Sequence, residues 1–200
     1  MDSPYNDLPV EKWYEKTRQL ISGHPLSSYE LYEIVNMVWQ SIFASEIGTK
    51  PFRIGQDLFP RPQVMGYFLH ELIPLELSYR YPTLWRRENQ VGEKDVVYIP
   101  DAYYSIEIKT SSSLGNIYGN RSYTQPSERS KKDKSGYYLA INFQKFNPSL
   151  ADNRPPLTSI RFGWIDHEDW KGQASATGQQ ARLSPEVEKF KLLSLPLSEE

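Results

Sequence analysis

Val96-Val97-Tyr98-Ile99-Pro100-Asp101-Ala102-Tyr103-Tyr104-Ser105-Ile106-Glu107-Ile108-Lys109-Thr110 is the stretch on which the reading of the whole chain turns. Val-Val-Tyr-Ile and Tyr-Tyr-Ser-Ile-Glu-Ile are rich in β-branched and aromatic residues, which suit a pleated surface, and Pro100-Asp101 stands between them. The pattern predicts two short antiparallel strands joined by a turn. Side chains alternate along a strand, so Ile106 and Ile108 project into a core while Glu107 and Lys109 share the opposite face.

Upstream of this pair the period changes to that of helices. Pro9 begins a stretch in which Val10, Trp13, Tyr14, Thr17, Leu20 and Ile21 recur at helical spacing. Ser27 and Glu30 form a capping box ahead of Leu31, Ile34, Val35, Val38, Trp39 and Ile42, which predicts a long second helix ending near Gly48. After an irregular connection marked by Pro51 and Pro60, Pro62 opens a third helix with the stripe Met65, Phe68, Leu69 and Leu72. Pro74 is expected to limit its far end. Glu71 borders that stripe.

Downstream, Tyr137 to Phe143 is a continuous apolar run suited to a central strand, and Ser159 to Ile165 reads as another. Residues 110–136, rich in Ser, Gly, Asn and Lys with almost no apolar periodicity, read as a long mobile loop. The tail after Leu183 reads as one short helix. Asp166-His167-Glu168-Asp169, crowded acids beside Trp170, reads as the cap of a strand end rather than as a metal or catalytic centre.

The chain has 200 residues, 38% hydrophobic and 14% aromatic, enough for one domain with a true core and too apolar for a disordered chain. The expected organisation is a single domain over 1–200: a helical part at 1–60, a catalytic core at 61–145, and a recognition part with the tail at 146–200. With no cysteine there is neither a disulfide framework nor a thiolate zinc site. No apolar run approaches the roughly 18 to 20 residues that cross a bilayer, and the first residues do not read as a secretory signal, so no membrane contact and a cytoplasmic address are expected. The net charge of −2 hides an asymmetry: residues 1–108 carry net −5, residues 109–182 net +5 and the remainder net −2. A basic half that lines one groove suits a polyanion; lysines on a solvated loop would give the same count.

Asp101 and Glu107 are the carboxylates that can hold a divalent metal, with the Ile108 carbonyl as a further oxygen and Glu71 as an additional ligand. Magnesium fits such a set, since it takes oxygen donors and keeps several waters. Lys109 would orient the attacking water or stabilise the charge that develops on a phosphoryl group during hydrolysis. Five residues separate Asp101 from Glu107, a short interval that keeps Asp95 open as the alternative first acid. The hydroxyl run that includes Ser111 can meet phosphates, as can Lys171 and Arg182. Asn116 and Arg121 belong to a loop able to reach a groove or clamp a backbone. Gln173, Thr177, Gln179 and Gln180 have the amide chemistry that addresses adenine edges, and Gly172 and Gly178 permit close approach.

Asp101, Glu107 and Lys109 resemble the signature positions of the PD-(D/E)XK nucleases, and Glu71 in Gly66-Tyr-Phe-Leu-His-Glu looks like the helix glutamate of some members. The Ser105-to-Ser112 segment, with Arg161-Phe-Gly-Trp-Ile-Asp-His167 and the following Ala-Thr-Gly-Gln-Gln-Ala run, is similar to type II restriction endonucleases of the ScaI-like family. The resemblance spans roughly residues 60 to 190. It implies an α/β (α+β) fold with a central mixed β-sheet flanked by helices, and with helices at the N-terminus. It further implies Mg2+-dependent cutting of both strands of double-stranded DNA at a short palindrome by a homodimer. The absence of a P-loop or dinucleotide fingerprint agrees with an enzyme that needs no nucleotide cofactor. Two other readings stand beside it. One is a structure-selective repair or junction-resolving nuclease on the same core, which would cut only branched or mismatched DNA. The other is a non-catalytic DNA-binding domain in which Glu107 and Lys109 are an exposed ion pair.

Overall fold

The apolar run expected to be central, Gly136–Phe143 (β7), lies inside a six-stranded sheet and is buried along its whole length. The structure is a computed structural model that describes residues 2–124, 134–147, 149, 154–173 and 179–197. The helices are α1 (Trp13–Ser22), α2 (Ser28–Ala44), α3 (Pro62–Arg80) and α4 (Pro185–Phe190). A small hairpin of β1 (Glu46–Ile47) and β2 (Phe52–Arg53) follows α2. The large sheet contains β3 (Trp85–Arg87), β4 (Val96–Tyr98), β5 (Ile106–Ser111), β7, β8 (Leu157–Ile165) and β11 (Leu193–Ser194). Their spatial order is β11-β8-β7-β5-β4-β3. A second sheet is built from β6 (Tyr118–Asn120), β9 (Lys171–Gly172) and β10 (Gln180–Arg182), in the order β6-β10-β9.

Within the large sheet β5 and β7 run parallel, from Ile106 opposite Tyr137 to Ser111 opposite Asn142, and the other pairings are antiparallel. The sheet is therefore mixed, with helices packed on it, as the sequence predicted. Alternation on β7 divides the interior in two. Tyr137, Leu139 and Ile141 enter a core with Leu31, Val35 and Trp39 of α2 and Leu69 and Ile73 of α3. Tyr138 and Ala140 enter another with Ile117, Tyr123, Trp170, Ala181 and Val187, under the second sheet and α4. Ile106 and Ile108 belong to the helical side, so Glu107 and Lys109 face the small sheet.

Three expectations are corrected. Pro74 does not end α3, which runs on to Arg80 with the proline buried inside it. The lost backbone hydrogen bond costs roughly 3 kcal/mol, and the burial of Ile73 before the proline and Leu77 after it offsets that cost. Residues 110–136 are not one loop, because β6 and a 3-10 turn at Arg121–Thr124 form there; residues 125–133 lie outside the described part. The tail holds a strand, β11, as well as the expected helix. Asp166-His-Glu-Asp does form a cap: Asp166 and Asp169 close a capping box on the 3-10 turn after β8, and both accept from the buried Lys191 ammonium at 2.8 Å.

Candidate active site

β4 and α3 both converge on β5. Ile106 and Ile108 fix the strand's rotation by burial, which turns Glu107 and Lys109 to the other side. β4 runs antiparallel with Val96 opposite Ile106, so the residue before Val96 is carried alongside Glu107 and Ile108. That residue is Asp95, and its Oδ2 accepts the Ile108 backbone N–H at 2.6 Å. On the helical side α3 lies close to β5 because residue 66 is glycine; a Cβ there would stand 2.5 Å from Thr110 Oγ1. The same helix brings His70 Nδ1 to 3.6 Å from Asp95 Oδ2.

Glu107 is 3% exposed. Burial of a carboxylate is costly unless donors meet it, and two donors meet Oε1: Lys109 Nζ at 2.7 Å and the Tyr123 hydroxyl at 2.6 Å. Lys109 Nζ also donates to the Ile108 carbonyl at 3.3 Å. Burial first, then the charge and hydrogen bond of Glu107, push the Tyr123 phenol far above its ordinary range, so it stays protonated and remains a donor. Lys134, also buried, holds its ammonium 4.3 Å from the centre of the Tyr123 ring.

The other expected acids lie elsewhere. Asp101 sits in the connection between β4 and β5, exposed, and its Oδ1 accepts the Tyr103 N–H at 2.9 Å as the cap of a 3-10 turn. Glu71, half-buried on α3, pairs with Arg87 of β3 at 3.0 Å. Tyr123, Lys134 and His70 were not singled out from sequence. Their signal is weak there, since Tyr123 and Lys134 fall within a polar stretch with no apolar period and His70 stands beside the more conspicuous Glu71.

Among the described residues no group of three or more His, Cys, Asp or Glu is placed to hold a metal ion. Asp95, Glu107 and the Ile108 carbonyl do form a compact set of oxygen donors around one backbone segment. A small hard cation that retains most of its waters fits so few protein ligands, and a thiolate or imidazole metal does not.

The expected DNA-contact residues are gathered mainly by the second sheet. Gln180 lies opposite Asn120, and Arg182 lies opposite both Tyr118 and Lys171. Ala181 points inward and is fully buried, so Gln180 and Arg182 share the exposed face. Gln173 Nε2 donates to Gln180 Oε1 at 3.2 Å. Arg121 is exposed at the end of β6, and Gln179 is exposed just before β10. Ser111 and Asn116 are engaged in the turn after β5: Ser111 Oγ bonds Ser113, and the Asn116 carbonyl accepts from Asn142 Nδ2 at 3.0 Å. Thr177 and Gly178 lie outside the described residues.

Comparison with known proteins gives this geometry a family. The model of the ScaI restriction endonuclease family matches residues 3–196. The chain belongs to that family. The type II restriction enzyme ScaI of Streptomyces caespitosus is 47% identical over 195 residues, a span that covers 97% of this chain and 85% of the relative. Membership makes the protein a type II restriction endonuclease, an enzyme that cleaves DNA at a specific site, in accord with the resemblance carried by Glu107, Lys109 and the Arg161 segment. Like the rest of the described chain, none of the family region contains a helix long and apolar enough to cross a membrane.

Proposed function

We propose that this restriction endonuclease cuts both strands of a short palindromic site in double-stranded DNA as a homodimer acting in the cytoplasm. Asp95, Glu107 and the Ile108 carbonyl would hold Mg2+, and Lys109 would act at the scissile phosphate. The observation that carries the reading is the Asp95 carboxylate held on the backbone of the same residue whose neighbours are Glu107 and Lys109. Asp95 replaces Asp101 in this proposal because Asp101 is used as a turn cap.

Bound there, a divalent cation supplies charge neutralisation at the scissile phosphate and a more acidic water. The chain's own groups do the rest. Glu107 on β5 and Asp95 immediately before β4 provide negative charge, held by backbone and side-chain donors. Lys109 keeps an ammonium 2.7 Å from Glu107, within reach of a phosphate oxygen or of the attacking water, where it stabilises the charge that grows in the transition state. Glu71, whose carboxylate is taken up by Arg87, is left out of the cation's ligands in this proposal.

The second sheet is the proposed reading surface. Lys171 and Arg182 stand directly opposite each other, and like charges in that register are unfavourable until an anion lies between or above them. A phosphate backbone supplies that anion. Gln179 and Gln180, with Gln173 beside them, would offer amides to base edges, while Arg121 would extend the basic rim; Ser111, Asn116 and Thr177 complete the proposed contacts. Digestion of a plasmid of known sequence tests the reading: discrete fragments with Mg2+ and intact plasmid with chelator are expected. Cutting confined to branched or mismatched DNA would overturn it.

A further inference from the structure

Tyr123 follows Glu107 by 16 residues and stands on the 3-10 turn after β6, yet its side chain crosses from the small sheet to the catalytic strand. Three independent contacts fix it. The hydroxyl donates to Glu107 Oε1 at 2.6 Å. Trp170, next to β9, packs against the ring edge with centroids 4.9 Å apart. The backbone of β6 passes so close that a Cβ on Gly119 would stand 2.8 Å from Tyr123 Cγ. The ring in turn lies under two ammonium groups, with Lys109 Nζ at 5.0 Å and Lys134 Nζ at 4.3 Å from its centre.

We propose that Tyr123 is a positioning residue: it holds the Glu107 carboxylate in one orientation for the divalent cation and ties that orientation to the small sheet that meets DNA. The inference rests on the reading of Glu107 as a metal ligand. A glutamate has three side-chain torsions, and a ligand carboxylate that must be ordered on binding loses affinity; partners behind metal ligands remove that cost. A neutral donor suits the task better than a cation. Lys109 on the same oxygen offsets part of the carboxylate charge, whereas a neutral hydroxyl donor orients the group and leaves its charge for the metal. Since the ring is clamped between Gly119 and Trp170, displacement of β6 or β9 by bound DNA is transmitted to Glu107 through one rigid side chain.

Tyr123→Phe separates the hydroxyl from the ring. Calorimetric titration of Ca2+, as a metal probe that avoids turnover, into the enzyme with its cognate duplex should give a roughly 10- to 100-fold weaker metal affinity than wild type. The Mg2+ concentration for half-maximal cleavage should rise in parallel, while DNA affinity at saturating Ca2+ stays within about threefold, because base and phosphate contacts are not removed. Unchanged Ca2+ affinity, or an equal loss of DNA affinity at saturating Ca2+, would overturn the proposal. Glu107→Gln measured alongside distinguishes the two levels. If it loses Ca2+ binding while Tyr123→Phe behaves as wild type, only the role of Tyr123 fails. If it binds Ca2+ as wild type does, the metal site itself is misassigned.

Discussion

Asp95 Oδ2 accepts the backbone N–H of Ile108 at 2.6 Å, which joins the residue before β4 to the middle of β5 and sets an acid beside Glu107 without any help from the Pro100-Asp101 dipeptide. Strand pairing explains the preference. In an antiparallel pair each step along one strand away from the turn is matched by a step back along the other, so Glu107, next to Ile106, faces the position before Val96, whereas Asp101 lies in the connection itself.

Asp95 and Asp101 should therefore respond differently to substitution. Asp95→Asn is expected to lower Mg2+-dependent cleavage by at least the roughly 10- to 100-fold that loss of a ligand's outer partner costs. Asp101→Ala should cleave normally and lose about 1 kcal/mol of stability with its cap. Steady-state cleavage of a plasmid and urea unfolding measure the two quantities. Full activity in Asp95→Asn with loss in Asp101→Ala would reinstate the proline-flanked acid.

Lys109 is paired with Glu107 at 2.7 Å, and in the proposed mechanism it works on the phosphate only when DNA is present. Lys109→Ala should reduce the single-turnover rate by about 10²- to 10³-fold, the usual cost of removing a group that stabilises transition-state charge. Specific binding in Ca2+ should change little. A variant that cleaves at the wild-type rate would make the pair a structural one.

How far these features were legible in the sequence depended on the length scale of the signal. The apolar run of β7 and the Ile-Glu-Ile-Lys alternation of β5 announce themselves because burial on two faces and on one face leave different periods. Pro74 is a local stop signal and predicts a short α3, whereas the burial of Ile73 and Leu77 that overrides it is tertiary. The choice between Asp95 and Asp101 needed register, which no spacing rule supplies. Strands of two or three residues such as β6, β9 and β10 have no period at all, so Tyr123 and its hydrogen bond to Glu107 were hidden in a polar stretch.

The exposed face of β10 gives a prediction that separates base reading from backbone attraction. Gln180→Ala should weaken binding to the cognate site by roughly 1 to 3 kcal/mol and leave random DNA unaffected. Arg182→Ala and Lys171→Ala should weaken both and each reduce the slope of log affinity against log salt by about 1. Fluorescence anisotropy across a salt series measures these slopes. Equal weakening by Gln180→Ala on both DNAs would assign that residue to the backbone.

His24 supplies a prediction about stability rather than cutting. It is 7% exposed among Trp85, Tyr104, Tyr137 and Phe162, and burial lowers its pKa to about 4 although the Tyr104 and Leu26 backbone bonds oppose the shift. Nδ1 accepts the Leu26 N–H at 3.1 Å while Nε2 lies 3.0 Å from the Tyr104 carbonyl, an arrangement served by the neutral ring protonated at Nε2. The unfolded chain binds the proton first, with a pKa of 6.5, so the stability that neutral His24 allows is complete above that value and falls as the pH drops toward 4. The loss from this residue should reach about 3 kcal/mol. The difference between wild type and His24→Asn isolates this contribution, since Asn keeps an acceptor near Leu26 but does not titrate. Urea unfolding at pH 7, 6, 5 and 4 should show wild type losing its advantage over the variant step by step. A gap that stays constant over that range would mean that His24 takes up its proton in the folded state as readily as in the unfolded one.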